Sequence, residues 1–192
     1  MPPVPSAISS DSPDRHSAWP PRLYHRMEFE MVTSMPVPLN FRLPDGWTPA
    51  RPDDVGAPGA AFVALRTASQ GPGFTTNITI DGEHRSDEVE LPTIADESVQ
   101  QLADAGSQVS VLKRTEVGDA ESPGLTQLLK IVTMTGDEVQ DLTQCQVYLE
   151  MPDVHQPQHR AVVRLVLTAP AEEIDGLLPQ FQLFVDSVRS KN

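Results

Sequence analysis

The sequence predicts an α+β fold, a twisted antiparallel sheet of about six to seven strands flanked by helices, and three observations carry that prediction. Between Gly124 and Pro170 three β-type segments follow one another, with Leu129, Ile131, Val147, Leu149, Val163, Leu165 and Leu167 as their apolar residues. Directly after them Ile174, Leu177, Leu178, Phe181, Phe184, Val185 and Val188 recur at helical spacing, a stripe fit to close the oily side of that sheet. Earlier, Leu91, Ile94, Val99 and Leu102 share one broad helical face over Leu91 to Ala105, and Gly106 stands where such a helix should end.

The elements follow in chain order. Residues 1–26 hold six of the nineteen prolines, with several serines and no period of 2 or 3.6, and read as disordered. Residues 1–35 are therefore expected to form a Pro/Ser-rich, disordered or weakly ordered tail, and residues 36–190 a single α+β domain. Met27, Met31 and Met35 stand beside Met1 as candidate translation starts. At Val37 the pattern changes: Leu39, Phe41 and Leu43 alternate with Asn40 and Arg42, a half-buried strand that Pro44-Asp45-Gly46 turns. Trp47 is expected to fold back onto the strand just left. Residues 48–59 carry three prolines and two glycines and read as an irregular connection. Ala60 to Thr67 forms a short buried strand around Phe62, Val63 and Leu65, and Phe74, Ile78 and Ile80 complete a hairpin across Gly71-Pro72-Gly73. Asp81 to Glu90 is acidic and reads as a loop.

Beyond the helix at 91–105, β-like segments occupy about 107–117, 124–134, 140–151 and 159–168, with a tight turn at Gly136-Asp137. Ala161 to Leu167 is apolar except for Arg164, which predicts a central strand. The last helix is predicted to open near Pro170 with Glu172 and Glu173 in its first turn, where carboxylates suit the positive end of the helix dipole. Gly176 and Pro179 predict a kink or a restart within it.

A chain of 192 residues is long enough for one self-sufficient core. Its lone cysteine, Cys145, has no internal partner for a disulfide, so a cytoplasmic setting is the simpler expectation. The net charge of −13 sets the chain against phosphate backbones, and Lys113-Arg114 is its one basic pair, so no nucleic-acid partner is expected. The acidic excess serves solubility first, with attraction of a basic partner as the second reading. No apolar run approaches the ~18 residues a bilayer crossing needs, and Met1 to Pro5 lack a basic and an apolar leader region, so neither membrane insertion nor a secretory signal is expected.

Phe41-x-Leu43-Pro44-Asp45-Gly46-Trp47, then a helix after two or three strands, a four-strand meander and an amphipathic C-terminal helix running through Phe181 to Val188: in this order the chain resembles the PsbP-like fold superfamily, and within it the bacterial LpqN and DcrB-type domains, over roughly residues 36–190. That resemblance implies an α/β/α sandwich and a binding, assembly or chaperone-like role without catalysis. Some members associate with photosystems, one kind binds a small GTPase, and others escort secretion-system effectors. Many actinobacterial relatives are exported lipoproteins, whose signal and lipobox this sequence does not show. No partner-site residue is carried over from them.

No catalytic constellation appears. Gly-x-Ser-x-Gly, Walker-type, His-Glu-x-x-His and Gly-x-Gly-x-x-Gly patterns are absent from the sequence. Asp153, His155 and His159 lie close together, but Pro157 prevents a helical His-x3-His presentation, and solvated hairpin residues are the better reading. Asp81, Glu83, Asp87, Glu88 and Glu90 fail the spacing of a calcium loop. Cys145 shares its parity with Thr143, Val147 and Leu149 and reads as a small packed hydrophobe. Asn77-Ile78-Thr79 fits a glycosylation sequon but falls in a strand. No cofactor and no metal are expected.

The more informative pattern is the opposite parity of the late strands. Gln144, Gln146 and Tyr148 line one face there, and Lys130 and Arg164 are placed to join them as a candidate partner-binding surface. The plainer reading is that antiparallel sheets keep one face wet. Arg164 in an apolar strand needs a carboxylate, internal or foreign. The chain is thus read as a non-enzymatic protein-binding, adaptor or chaperone-like domain. The alternative is a small-molecule or lipid-tail carrier, with a cleft between sheet and helix lined by Trp47, Phe62, Phe74 and the C-terminal stripe.

Overall fold

The computed structural model describes residues 35–69, 73–85, 88–120, 122–152 and 159–190. Residues 1–34, and with them nearly all of the expected tail, lie outside that set, as do Asp87, Asp153 and His155.

Leu39–Asn40 (β1) begins the described architecture, followed by Trp47–Ala50 (β2), Phe62–Arg66 (β3), Asn77–Arg85 (β4), the helix Leu91–Asp104 (α1), Gln108–Gly118 (β5), Pro123–Thr135 (β6), Glu138–Pro152 (β7), Arg160–Pro170 (β8), the helix Ile174–Val185 (α2) and Arg189–Ser190 (β9). Seven of these strands form one antiparallel sheet in the order β2-β3-β4-β8-β7-β6-β5. β8 is the fourth of the seven. Both its neighbours and both its faces are covered, which is why Ala161 to Leu167 can be apolar at either parity, as the sequence predicts.

Register separates the two faces. Val163, Leu165, Leu167 and Ala169 of β8 stand beside Ile78 and Ile80 of β4 and Cys145 and Val147 of β7, and α2 covers them with Ile174, Leu177, Phe181 and Phe184. The opposite face carries Leu125, Tyr148 and Val162 under Leu91, Ile94 and Ala95 of α1. One prediction is corrected here. Leu129 and Ile131 were expected under the C-terminal helix, but they face Gln144 and Leu142 of β7 on the α1 side and pack with Phe74, Val99 and Leu102. Alternation shows that a strand has two faces without showing which helix each will meet.

Other local differences have physical reasons. The expected strand at 37–43 reduces to Leu39–Asn40, which pairs with Arg189–Ser190 outside the main sheet. Phe41 leaves that ladder and sets its ring edge-on between Phe62 at 4.9 Å and Phe184 at 5.5 Å. Trp47 pairs across to Arg66 while its side chain joins the core cluster that holds Leu39 and Phe41, and its Nε1–H donates to Gln180 Oε1 at 3.2 Å. The segment read as irregular from residue 48 first completes β2 through Ala50; Pro49 is tolerated there because β2 is an edge strand. Asp81 to Arg85 continues β4 instead of opening a loop, since Arg160 to Arg164 of β8 supplies a ladder for all five residues.

α2 begins at Ile174 rather than near Pro170, and Glu173 turns aside to accept a hydrogen bond from Arg66 Nη1 at 3.1 Å. Pro179 lies inside α2 without breaking it. An interior proline costs about 3 kcal/mol, while full burial of each phenylalanine contributes roughly 1.5–3 kcal/mol. Phe181 and Phe184, 2 % and 0 % exposed, decide that contest.

Gly118 ends β5 at φ +81°, and a Cβ built on it would stand 2.1 Å from the Ser122 carbonyl oxygen. Gly118→Ala should therefore destabilise the fold by about 2 kcal/mol, read as a lowered urea midpoint with an unchanged slope.

Candidate functional site

The face under α1 carries a transverse belt of polar side chains built by register alone. Leu125, Tyr148, Arg164 and Asp81 stand in one row across β6, β7, β8 and β4; Arg114, Gln127, Gln146 and Val166 stand in the next across β5, β6, β7 and β8. Arg114 donates to Gln127 Oε1 from Nε at 3.0 Å and Nη2 at 2.8 Å, and Gln127 Nε2 donates to Gln146 Oε1 at 2.7 Å. The same Gln146 oxygen accepts the Tyr148 hydroxyl at 2.7 Å and the Ser98 hydroxyl of α1 at 3.4 Å, while Gln146 Nε2 donates to Gln144 Oε1 at 2.7 Å. Arg164 binds Asp81 through Nε at 3.1 Å to each oxygen and through Nη2 at 2.8 Å, and its Nη1 donates to Ser98 Oγ at 2.8 Å. Unpaired, each of these groups would cost about 1–3 kcal/mol to bury. Paired in this pattern, they lock one helix to one register.

The structure brings Gln144, Gln146, Tyr148 and Arg164 together, as their parity predicts, but the face is not open. Gln146 and Tyr148 are 2 % and 1 % exposed, and α1 roofs them. Lys130 is not among them. It pairs in register with Thr143 on the other face and makes an exposed salt bridge to Asp141 at 3.2 Å. The carboxylate that Arg164 needs is internal: it is Asp81, which the sequence assigns to a loop. Gln127 and Ser98 were missed as well. Gln127 had a signal, being the one amide among Leu125, Leu129 and Ile131; Ser98 on a helix had none.

Beside α1 the belt opens into a cleft of about 190 Å³ where Thr79, Gln101, Gln144 and Arg164 meet solvent, and a smaller one of about 100 Å³ lies toward Glu83 and Glu97. Their chemistry is hydrogen bonding. The Ser98 hydroxyl is held by a guanidinium, not by a base. Burial would pull the Arg164 guanidinium down, but Asp81 outweighs it and the pKa ends above its ordinary value; burial pushes the Tyr148 phenol up. Among the described residues no set of three or more His, Cys, Asp or Glu side chains is arranged to hold a metal ion.

Cys145 is free and buried on the α2 face, and burial pushes its thiol from 9.0 up to about 11. Both raised acids keep their protons more tightly folded than unfolded. Stability is therefore fully present below about pH 9 and is lost as pH rises toward 11, by up to about 1.4 kcal/mol per pH unit for Cys145. Urea titrations at about pH 8 and about pH 10 should show the loss, and Cys145→Ala should flatten it.

Two helices on opposite faces of a seven-stranded antiparallel sheet, with a closed polar belt under one of them, define an α/β/α sandwich. No family model and no curated protein matches the sequence. Solved structures do match the fold. Cyanobacterial PsbP (CyanoP) from Synechocystis sp. PCC 6803 aligns over 80 % of this chain and 86 % of its own, with a TM-score of 0.58 and 12 % identity. LpqN of Mycobacterium tuberculosis, involved in cell envelope biogenesis, aligns over 80 % and 83 % with a TM-score of 0.55 and 13 % identity. The Saccharomyces cerevisiae Ran-binding protein Mog1p aligns over 79 % and 89 % with a TM-score of 0.50 and 14 % identity. The chain has the PsbP-like fold, which LpqN also has. At such identities the likeness is one of fold.

Proposed function

We propose that residues 36–190 form one non-enzymatic binding module, an adaptor or chaperone-like domain for a protein partner. The observation that carries this reading is the closure of the polar belt: its amides, hydroxyls and ion pair satisfy one another, so the groups with chemical potential are occupied in holding α1. What remains for function is surface. A protein partner is also in keeping with a fold shared by the Ran-binding Mog1p. Gln144 and Arg164 are the sequence-derived candidates that reach the cleft beside α1, while Gln146 and Tyr148 act by fixing the helix that forms its wall. Lys130, if it contributes, does so from the opposite face. The net charge argues against nucleic acid as the partner, and the free Cys145 suits a reducing, cytoplasmic compartment. No helix among the described residues is long and apolar enough to cross a membrane.

The carrier reading loses its cleft. Trp47 and Phe62 are closed into the α2-side core and Phe74 lies in the cluster on the opposite face. The polar openings over the belt, at about 100 and 190 Å³, fall below the ~300 Å³ at which small-molecule sites begin, and the larger one of about 410 Å³ at the start of α1 is bordered by Glu90, Glu116, Asp119 and Glu150 rather than by that aromatic lining. Affinity capture with the full chain should retain a reproducible protein partner, and native mass spectrometry of the freshly isolated protein should show its own mass alone. Turnover of a small substrate without any captured partner would overturn the proposal.

A further inference from the structure

We infer that β5 is a docking edge for an extended, basic segment of a protein partner, which joins the sheet as an eighth strand and places Lys or Arg side chains in an acidic cleft at the end of β5. This rests on the binding-module reading and gives it a surface.

The two edges of the sheet differ. β2 is four residues long and carries Pro49, a device that blunts an edge against further pairing. β5 runs for eleven residues without proline, is paired among the described residues only with β6, and exposes Val111, Leu112 and Val117 at 45, 55 and 42 %. A bulge interrupts its register between Val111 and Lys113; from Lys113 to Gly118 pairing with β6 is continuous, so the outer side of that run is a regular template for another strand.

The charge beside that template names the occupant. A cleft of about 410 Å³ opens where β5 ends, bordered by Glu90, Glu116, Asp119 and Glu150, and Arg160, the one cation lining it among the described residues, is bound to Glu150 at 2.5 Å. The chain as a whole carries −13. A second copy would bring the same charge and the same Glu116 to the edge, whereas a basic segment is attracted by both. The basic pair on β5 itself does not oppose this: Arg114 is turned inward to Gln127 and to Asp96 at 2.7 Å, and Lys113 points to the other face.

Pleating then sets the pattern. Glu116 pairs with Leu125 and so lies on the α1 face, as the cleft does, while Val117 lies on the α2 face. On an antiparallel newcomer, the residues opposite Glu116 and Gly118 share the α1 face and the residue between them meets Val117. The segment that fits alternates Lys or Arg with an apolar residue.

The test uses the full chain and two blocked peptides, acetyl-Thr-Val-Lys-Val-Lys-Val-Thr-amide and its analogue with Glu at both Lys positions. The Lys peptide should slow hydrogen exchange at amides within 113–118, weaken with added salt, and lose roughly tenfold in affinity to Glu116→Lys, an exposed change that leaves the melting temperature in place. The Glu peptide should not bind. The inference is overturned if the Lys peptide at millimolar concentration leaves those amides unchanged, or if the two peptides bind alike. A captured partner that Glu116→Lys retains in full would remove this surface and leave the binding-module reading standing; turnover with no partner would remove that reading itself.

Discussion

Replacing Phe184 with alanine should lower folding stability by about 4 kcal/mol, a large part of what holds a domain of this size together. Phe184 is fully buried, lies 5.5 Å from Phe41 edge-on and 6.0 Å from Phe181 in a stacked arrangement, and Phe41 in turn meets Phe62 at 4.9 Å. One ring thus joins α2, the segment after β1 and the sheet. Phe41→Ala should cost a similar amount. The double variant should cost less than the sum, because the edge-to-face contact is lost only once. Urea denaturation gives all three values, and a loss under about 1.5 kcal/mol for Phe184→Ala would mean that the site collapses freely and that the ring is not the joint it resembles.

Asp81→Ala should cost about 3 kcal/mol, for a different reason. It leaves the Arg164 guanidinium, with 28 % of the side chain exposed, beside the neutral Ser98 and Tyr148 hydroxyls where it had three further hydrogen bonds to a carboxylate. The stranded charge accounts for most of the penalty, so Asp81→Val combined with Arg164→Met should recover most of it. Hydrogen exchange in α1 should quicken in the single variant, since Ser98 hands the disturbance at Arg164 on to Gln146, and stay quickened in the double one, which removes the donor to Ser98. A double variant as unstable as the single would show that Asp81 matters through something other than its partner.

Phe184 was legible early, because a stripe at helical spacing after three strands has few places to go. Arg164 was half legible: a cation in an apolar strand announces the need for a carboxylate, yet Asp81 precedes it by more than eighty residues in a stretch whose acidity reads as loop. Gln146 and Tyr148 show the remaining gap. Their alternation with buried Cys145 and Val147 is plain in the sequence, but a polar face with α1 over it and a polar face open to water have the same alternation.

By itself the sequence determined the α+β class, the central place of Ala161 to Leu167, the helix at Leu91 and the presence of a C-terminal helix, because hydrophobic period and glycine or proline placement act within a few residues and are written there. Only the tertiary structure decided which helix lies on which face, that Leu129 belongs with α1, that Asp81 meets Arg164, and that β5 stands at an edge of the described sheet. Those are consequences of pairing order and register between distant strands, and a slip of one residue in any ladder would exchange its faces without changing a letter of the local pattern.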